Sequence, residues 1–563
     1  MNRIKTVAFA AIIACAIGAC TPTPPAYDLI IRGGTIYDGL GGEPYVGDVA
    51  IAGDRIAAVG DLGDATGTDE INASGKAVSP GFINMLSWAN ASLIVDGRGM
   101  SDLKQGVTLE VMGEGSSMGP WNDRLKAEAL ARQGDIRYDI QWTTLGEYMD
   151  HLVTKGISPN VASYVGATTV RGHEVGYDNR KATEEELARM QDLVREAMRE
   201  GALGVGSSLG YAPAIFADTD ELIALVSAAA EFGGAYISHI RSESNWLEES
   251  VEELIDIARA TGVPAEIYHL KASGKPNWHK LERVFEMVAA ARAEGLRITA
   301  DMYTYPASAT GLDYAMPLWA QEGGHDAWVA RLKDPEQRAR VVHEMTSAGG
   351  NWDNPYMTVG PEKILLLGFK TEALKPLIGK TLKEVADERG SHPAETAVDL
   401  VIEDDSRVDV SYFSMSEENI RKKVAQPWVS FGSDEEASAT EGVFLLSNNH
   451  PRAFGTFARV LGKYSRDEGI IPLEEAVRRM TSLPAANIQI RNRGQLTAGC
   501  FADVVVFNPA TVSDHATFPQ PHQYATGIEQ VFVNGEQVLR DGEHTGATPG
   551  RVVRGPGWTG WPE

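Results

Sequence analysis

Cysteines, basic residues and long apolar runs are scarce in this 563-residue chain, and each scarcity excludes a class of protein. Of the three cysteines, one lies inside an N-terminal export signal, so no disulfide framework holds the fold. No internal apolar run is as long as a membrane span. Lysine and arginine total 51 against 77 acidic residues, and the net charge of −26 argues against nucleic acid as a partner.

The first 20 residues, "MNRIKTVAFAAIIACAIGAC", have the pattern of an export signal: a basic start, an apolar core and small residues before Cys20. The ending "AIGAC" resembles a bacterial lipoprotein signal, and residues 21–27 follow as a proline-rich tether. We expect Cys20 to be the lipidated mature N-terminus, which anchors an exported, periplasmic protein to the membrane. Removal of Arg3 and Lys5 brings the charge from −26 to −28, so any membrane contact should come from the lipid. The alternative is a secreted protein with an unmodified Cys20.

Two β-rich ends enclose a middle of different character. Residues 28–78 contain short alternating strands broken by Gly-Gly and Gly-Asp turns. Residues 491–563 have the same pattern and include Val-Asn-Gly-Glu, a tight hairpin signal. The two ends together predict one small β-sandwich domain built from both termini.

The middle, residues 79–490, alternates apolar strands with amphipathic helices. The candidate strands are "KAVSPGFINML", "GVTLEVMGE", "NVASYVGA", "GALGVGSSLGY", "GGAYISHI", "VPAEIYHLKA", "RITADMYTYP" and "PWVSFGSD". Eight strands with intervening helices predict an α/β fold, a (β/α)8 TIM-like barrel. The stretch from about 313 to 425 exceeds one crossover and predicts an inserted subdomain or lid.

Four of these strands end in polar residues: Glu114, His239, His269 and Asp434. Chemistry in such barrels gathers at the carboxyl ends of the strands. His239 and His269 are 30 residues apart, about one β/α unit, which predicts two neighbouring imidazoles that suit zinc. A single histidine at a strand end is more often a hydrogen-bonded scaffold residue, and Glu114 could instead cap a turn or pair with Arg241.

The motifs resemble those of the N-acyl-D-amino acid deacylases of the amidohydrolase superfamily over nearly the whole mature chain. The matching segments are "DLIIRGGTIYDG", "PGFI", "GVT", "SHIRSE", "YHLKASG", "FGSD", "HPRAFGTFARVLGKY" and "ADVVVFNP". The resemblance implies that His239 and His269 bind the tightly held metal and that Asp434 acts as general base and then acid. It also implies a substrate-binding set, Lys271, Tyr211, Tyr303 and Arg452, that holds carboxylates. For Arg452 a surface or interdomain salt bridge is the alternative.

The chain departs from the family pattern at the positions of several metal ligands. The family's H-x-H pair is replaced by Leu86 and Trp88, neither of which can bind a metal. An ungapped alignment places Gly115 at the cysteine ligand of the second strand and Glu114 one residue before it. The third-strand "VGH" has become "VGA", with Ala167. These departures predict that the weak second metal site is lost.

We therefore expect one zinc ion per chain, bound by His239 and His269, with Glu114 in place of the thiolate. The predicted function is cleavage of N-acyl (D-)amino acids to a carboxylate and a free amino acid, with Asp434 moving the proton. One alternative is an amidohydrolase acting on another amide, such as a cyclic amide or a dipeptide. The other is a non-catalytic surface lipoprotein that binds small acids.

Overall fold

The computed structural model describes residues 26–560, so the predicted export signal, Cys20 and most of the tether lie outside the described residues. Its strands are β1 (Ala26–Ile36), β2 (Tyr45–Ala52), β3 (Arg55–Gly60), β4 (Thr66–Asn72), β5 (Ala77–Pro80), β6 (Phe82–Asn84), β7 (Val107–Met112), β8 (Asn160–Ser163), β9 (Val165–Gly166), β10 (Gly204–Ser208), β11 (Ala235–His239), β12 (Ala265–Ile267), β13 (Ile298–Ala300), β14 (Ser308–Gly311), β15 (Ile364–Gly368), β16 (Asp409–Tyr412), β17 (Val504–Phe507), β18 (Ile528–Val533), β19 (Glu536–Arg540) and β20 (Glu543–His544).

The α-helices are α1 (Ser92–Val95), α2 (Met100–Leu103), α3 (Asp123–Arg132), α4 (Leu145–Lys155), α5 (Ala167–Glu174), α6 (Glu184–Arg199), α7 (Thr219–Ala230), α8 (Leu247–Thr261), α9 (Leu281–Ala293), α10 (Leu318–Gln321), α11 (His325–Lys333), α12 (Pro335–Met345), α13 (Pro355–Val359), α14 (Leu382–Arg389), α15 (Pro393–Asp404), α16 (Glu417–Val424), α17 (Arg452–Arg459), α18 (Leu473–Met480) and α19 (Ser482–Asn487). A π-helical turn, Val460–Asp467, continues α17. Short 3-10 turns cover Ala214–Phe216, Lys275–Lys280, Leu312–Ala315, Pro361–Lys363, Glu372–Leu377 and Gly442–Leu446.

The helices between barrel strands follow from their caps and their apolar spacing. Helix α6 begins with a capping box, in which the Thr183 side chain and Glu186 satisfy each other's backbone N–H groups. Its buried residues, Met190, Val194, Ala197 and Met198, recur at helical spacing on one face. Burial of that face places α6 against the outside of the barrel.

Seven strands of the barrel are parallel neighbours in chain order. Strands β6, β7 and β8 form one parallel group, and β9 to β13 form the next. Strands β8 and β9 are two parts of one barrel strand, and the amide of Tyr164 between them donates to the carbonyl of Met112 at the end of β7. This order confirms the predicted barrel fold class and brings the carboxyl ends of the strands to one mouth.

Residues 429–435 close the barrel as its eighth strand. Val429 bridges Ala300 of β13, and Glu435 bridges Ser87, which follows β6, both in parallel. The amide of Asp434 also donates to the carbonyl of Leu86 at 2.8 Å. The segment after β6 and the end of the eighth strand are therefore hydrogen-bonded to each other at the barrel mouth.

The two chain ends form one nine-stranded sheet that contains β1 to β5 and β17 to β20. Antiparallel pairing of β5 with β17 joins the N-terminal to the C-terminal part. One apolar cluster draws on both parts, for example Ile31 and Val49 from one and Val504 and Phe532 from the other. A small β-domain built from both termini is thus confirmed, and hydrogen bonds join its strands into a continuous sheet.

The segment between β13 and the eighth strand folds around an apolar core of its own. Its antiparallel sheet has the order β14–β16–β15, and helices α10 to α15 pack on residues such as Leu366, Val398 and Val410. Within residues 26–560 no helix has both the length and the apolar character needed to cross a bilayer. Over the same range Cys500 is a free cysteine.

Candidate active site

Glu114, His239 and His269 meet at the barrel mouth. His239 is the last residue of β11, while Glu114 and His269 each follow a strand by two residues, β7 and β12 respectively. All three are buried, and the two imidazole centroids are 4.7 Å apart. The spacing of 30 residues along the chain thus brings the two rings together at the same height.

The three side chains present their donor atoms to one point. Glu114 Oε1 lies 3.0 Å from His269 Nε2 and 3.2 Å from His239 Nδ1, and the two ring nitrogens are 3.0 Å apart. A tetrahedral zinc site with bonds of roughly 2.0–2.1 Å has edges of about 3.3 Å between its ligands. The triangle therefore has nearly the dimensions of one face of such a tetrahedron.

The charge of this cluster favours a cation. Three lone-pair donors at 3.0–3.2 Å repel one another unless a proton or a metal ion lies among them. Burial and Lys271 disfavour the charged form of His269, but Glu243 and Glu114 outweigh them and raise its pKa to about 10. Burial likewise opposes ionisation of Glu114, yet the two histidines hold its pKa below the ordinary value. A carboxylate with two imidazoles is a donor set that fits a divalent ion.

The backbone around Gly115 explains why Glu114 faces the histidines. Gly115 has a φ of +67°, and a Cβ added there would lie 2.3 Å from the Cβ of Ser208 on β10. A cysteine at this position would collide with that neighbouring strand. The residue before it, Glu114, has a side chain long enough to bring Oε1 within 3.2 Å of both imidazoles.

Leu86 and Trp88 stand where the family pattern has its H-x-H pair. Leu86 is fully buried and belongs to an apolar cluster inside the barrel. Trp88 is 37% exposed and lines the central cavity. Its indole Nε1 lies 3.2 Å from Glu114 Oε2 and 3.2 Å from Asp434 Oδ1, and donates to both.

Asp434 sits opposite the histidines with a strained backbone and two hydrogen-bond donors. Its φ is +53°, and that of His269 is +34°, positive values that are uncommon for non-glycine residues. Oδ2 accepts a 2.6 Å bond from Arg452 Nη1, and Oδ1 faces Trp88. Burial raises the pKa of Asp434, although the charges of Arg452 and His269 oppose it. A buried carboxylate with a raised pKa is suited to accept a proton.

Glu243 is a site residue that the sequence analysis missed. Its Oε1 accepts a 2.6 Å bond from Lys271 Nζ and lies 2.9 Å from His269 Nδ1. Lys271 Nζ is itself 2.7 Å from that same ring nitrogen. Burial works against the charged form of Glu243, but the charge of Lys271 prevails and its pKa is lowered. The motif "SHIRSE" contains this glutamate, which orients a candidate ligand from its far side.

Three of the four predicted substrate-binding residues line a cavity of about 770 Å³, namely Tyr211, Lys271 and Arg452; Tyr303 does not line it and packs against Arg452. Arg452 and Lys271 line it, and the guanidinium of Arg452 lies 4.5 Å from the ring centroid of Tyr303. Among the described residues, Tyr303 Oη and Arg452 Nε have no hydrogen-bond partner, although both are buried. Tyr211 lies 5.1 Å from the His239 ring and donates to Thr310 of the insertion.

A side chain from the insertion also reaches this cavity and escaped the sequence analysis. Arg407 lies with its guanidinium 5.1 Å from the Tyr211 ring centroid, and its Nε donates to Asp313 at 2.8 Å. Nothing in the local sequence marks it, because it arrives from a separate subdomain. Both the barrel and the insertion therefore shape the cavity.

A barrel whose strands end in a carboxylate, two imidazoles and an opposed aspartate defines a metal-dependent hydrolase. The chain belongs to the amidohydrolase family, whose model matches residues 69–539. It is a hydrolase of carbon–nitrogen bonds in non-peptide amides.

Relatives of known activity cover almost the whole chain. D-aminoacylase of Alcaligenes xylosoxydans xylosoxydans is 34% identical over 94% of this chain and 97% of its own length. A D-aminoacylase structure, described for its binuclear metal center with one-metal activation and second-metal attenuation, has a TM-score of 0.77 at 32% identity, covering 94% of this chain and 100% of that one. N-acyl-D-glutamate deacylase from Bordetella bronchiseptica, complexed with zinc and a phosphonate inhibitor, gives 0.77 at 30% identity, with coverage of 94% and 100%. The resemblance to N-acyl-D-amino acid deacylases is confirmed.

Proposed function

We propose that this enzyme cleaves the amide bond of N-acyl-D-amino acids with one zinc ion held by Glu114, His239 and His269. The observation that carries the proposal is the triangle of donor atoms at 3.0–3.2 Å beside a cavity of about 770 Å³. Three relatives that cover 94% of the chain are deacylases of this substrate class. A zinc ion bound there would polarise the scissile carbonyl and make water a better nucleophile.

Asp434 is the proposed proton carrier. Asp434 lines the cavity, and its Oδ1 accepts from the neutral indole of Trp88. Arg452 holds the other oxygen at 2.6 Å and so fixes the direction in which the free lone pairs point. In this arrangement Asp434 takes a proton from the attacking water and returns it to the leaving amine.

The substrate carboxylate is proposed to bind beside Arg452 and Tyr303. Both side chains are buried, and within residues 26–560 neither Arg452 Nε nor Tyr303 Oη has a hydrogen bond, although Glu435 Oε1 lies 3.7 Å from Arg452 Nε. A carboxylate that accepts from both would relieve two buried unsatisfied groups. Lys271 already donates a hydrogen bond to Glu243. We propose that it attracts the substrate carboxylate electrostatically while it keeps that bond. Tyr211, whose ring is tilted against that of His239, is proposed to form the wall on the other side.

The decisive experiment combines metal analysis of the purified protein with a screen of N-acyl-D- and N-acyl-L-amino acids for amine release. We expect about one zinc per chain and turnover of D-substrates that carry a free carboxylate. Two tightly bound ions, or cleavage of cyclic amides or dipeptides alone, would contradict the proposal. A protein that binds no metal and releases no amine would favour the non-catalytic alternative.

Carboxylate recognition has a test of its own. Arg452→Ala and Lys271→Ala should each raise KM for an N-acyl amino acid at least tenfold more than for its primary amide, since the charge-assisted bonds are lost only with the acid. If both variants treat acid and amide alike, these residues do not read a carboxylate. Because Arg452 also touches Asp434, kcat is compared separately from KM.

We also propose that the enzyme is exported and held at the membrane by lipid on Cys20. The support is the sequence of residues 1–20, with "AIGAC" directly after an apolar run. The mature chain would carry a net charge of −28, so protein-mediated contact with anionic lipid is disfavoured. The acyl chains would supply the membrane affinity.

A further inference from the structure

The indole of Trp88 occupies the space between the two carboxylates of the site. Its Nε1 lies 3.2 Å from Glu114 Oε2 and 3.2 Å from Asp434 Oδ1, so one N–H is shared by two acceptors. Both carboxylates are buried, with 5% and 8% of their surface exposed. Two buried anions this close to one donor repel each other and need a fixed positive dipole between them.

The other oxygen of each carboxylate already has a strong partner. Glu114 Oε1 faces the two histidines, and Asp434 Oδ2 accepts from Arg452 at 2.6 Å. Trp88 therefore supplies the second point of attachment for both side chains. Two points of attachment fix the rotation of a carboxylate, whereas one leaves it free to turn.

The backbone fixes the indole in this place. The amide of Trp88 donates to the carbonyl of Glu435 at 2.9 Å, and Ser87 forms a parallel bridge with Glu435. The amide of Asp434 donates back to Leu86 at 2.8 Å. Residue 88 is thus held against residue 434 by the pairing that closes the barrel, independently of its side chain.

We propose that Trp88 is a positioning residue that clamps the candidate ligand Glu114 to the candidate base Asp434, doing with a neutral N–H what a second cation would otherwise do. Indole nitrogen only donates, so Trp88 cannot itself bind a metal. A neutral donor also withdraws less electron density from Asp434 than a cation would, which leaves that carboxylate a better base. This inference rests on the proposed function: its metal-binding arm needs only the proposed zinc site, and its catalytic arm also needs the proposed substrate.

The test compares wild type with Trp88→Phe, which removes the N–H and keeps an aromatic ring. Affinity for Zn²⁺ is measured by competition with a chelator, and kcat and KM are measured with an N-acyl-D-amino acid. We expect Zn²⁺ affinity and kcat each to fall 10- to 100-fold, the usual effect of losing a group that orients a ligand. Replacement of Trp88 by 3-benzothienylalanine, which exchanges the N–H for sulfur in a ring of the same shape, should reproduce both losses with KM changed less than about threefold.

Trp319→Phe is the matched control. Trp319 Nε1 donates to the carboxylate of Glu344 at 2.8 Å in the insertion, so the substitution deletes the same kind of bond outside the cluster. It should leave Zn²⁺ affinity and kcat within twofold of wild type. Thermal unfolding identifies a variant that has lost its fold. If Trp88→Phe is unfolded, the Zn²⁺ affinity and kcat of the benzothienyl enzyme decide whether the clamp exists.

The outcomes separate the two claims. Zn²⁺ affinity and kcat within twofold of wild type for the benzothienyl enzyme would overturn the clamp, as would equal losses in Trp319→Phe. If wild type binds Zn²⁺ but cleaves no N-acyl amino acid, the proposed function fails, and the Zn²⁺ affinities alone decide for or against the clamp.

Discussion

Replacement of Glu114 by glutamine tests the central feature of the site, the carboxylate that stands one residue away from the expected cysteine. Glu114→Gln keeps the size of the side chain and removes its charge. In the structure this side chain contributes one of three donor atoms, at 3.0 Å and 3.2 Å from the two imidazoles. An amide oxygen can still approach a metal ion but binds it more weakly than a carboxylate.

The expected loss can be worked from the number of ligands. Zinc held by four protein ligands is bound by roughly 10–16 kcal/mol, or about 3 kcal/mol per ligand. Complete loss of one ligand would then raise the dissociation constant for Zn²⁺ by about 10²-fold, since each 1.4 kcal/mol of binding free energy is tenfold. Because the amide keeps part of the interaction, we expect a weakening of roughly 30- to 100-fold in Glu114→Gln.

The assay is Zn²⁺ titration against a chelator at fixed pH, with Glu110→Gln as the matched control. Glu110 is a buried glutamate on β7, four residues before Glu114, and accepts from Asn84 at 3.0 Å. Burial raises the pKa of Glu110 to about 7, so this carboxyl is only partly ionised near neutral pH. Its replacement by glutamine therefore removes less negative charge than the replacement of Glu114. The control should bind Zn²⁺ within threefold of wild type. If Glu114→Gln also stays within threefold, Glu114 is not a ligand and the reasoning from the donor triangle fails.

Three further predictions follow from other parts of the chain. Asp434→Asn should keep Zn²⁺ and lose about 10²- to 10⁴-fold in turnover, and more than a third of wild-type activity would exclude Asp434 as the base. Burial lowers the pKa of Lys423 to about 7, so between pH 7 and 10.5 the unfolded chain binds a proton that the folded protein does not. Wild-type stability against urea should therefore gain from this lysine as pH rises through that window, and Lys423→Met should lack the gain; equal pH slopes would refute it. Mass spectrometry of membrane-extracted protein should find an acylated Cys20, whereas a soluble protein that starts after residue 20 without modification would contradict lipidation.

The barrel could be predicted because its signals are local. Each strand is a short apolar run, and helices such as α6 and α8 carry their own caps and apolar faces. The eighth strand shows the limit of this reasoning. Residues 429–435 pair with their neighbours through isolated bridges and single hydrogen bonds. Their apolar run predicts that a strand is present, but it does not predict that the pairing is irregular. The insertion was visible only as excess length, because its three-stranded sheet depends on pairing between residues about 100 positions apart.

The positions of the two histidines were predictable from one β/α repeat, but the partners that orient them were not. Glu243 and Arg407 approach the site from a turn and from the insertion, and neither occupies a strand end. Their contacts with Lys271 and Tyr211 exist only after distant segments have packed. Spacing along the chain identifies residues that share a height in the barrel, whereas a hydrogen-bond partner can arrive from any element.

The choice between Glu114 and Gly115 shows most clearly what decides a ligand. Both positions lie in a glycine-flanked turn after β7. The sequence alone does not decide which of the two positions faces the histidines. The close approach of Ser208 excludes any side chain at position 115, whereas Glu114 Oε1 lies within 3.2 Å of both imidazoles. Once the carboxylate of Glu114 is in place, its second oxygen needs a donor, and the pairing of residues 86–88 with 434–435 presents Trp88 there. The pairing that closes the barrel thus also supplies the donor that the second oxygen of Glu114 requires.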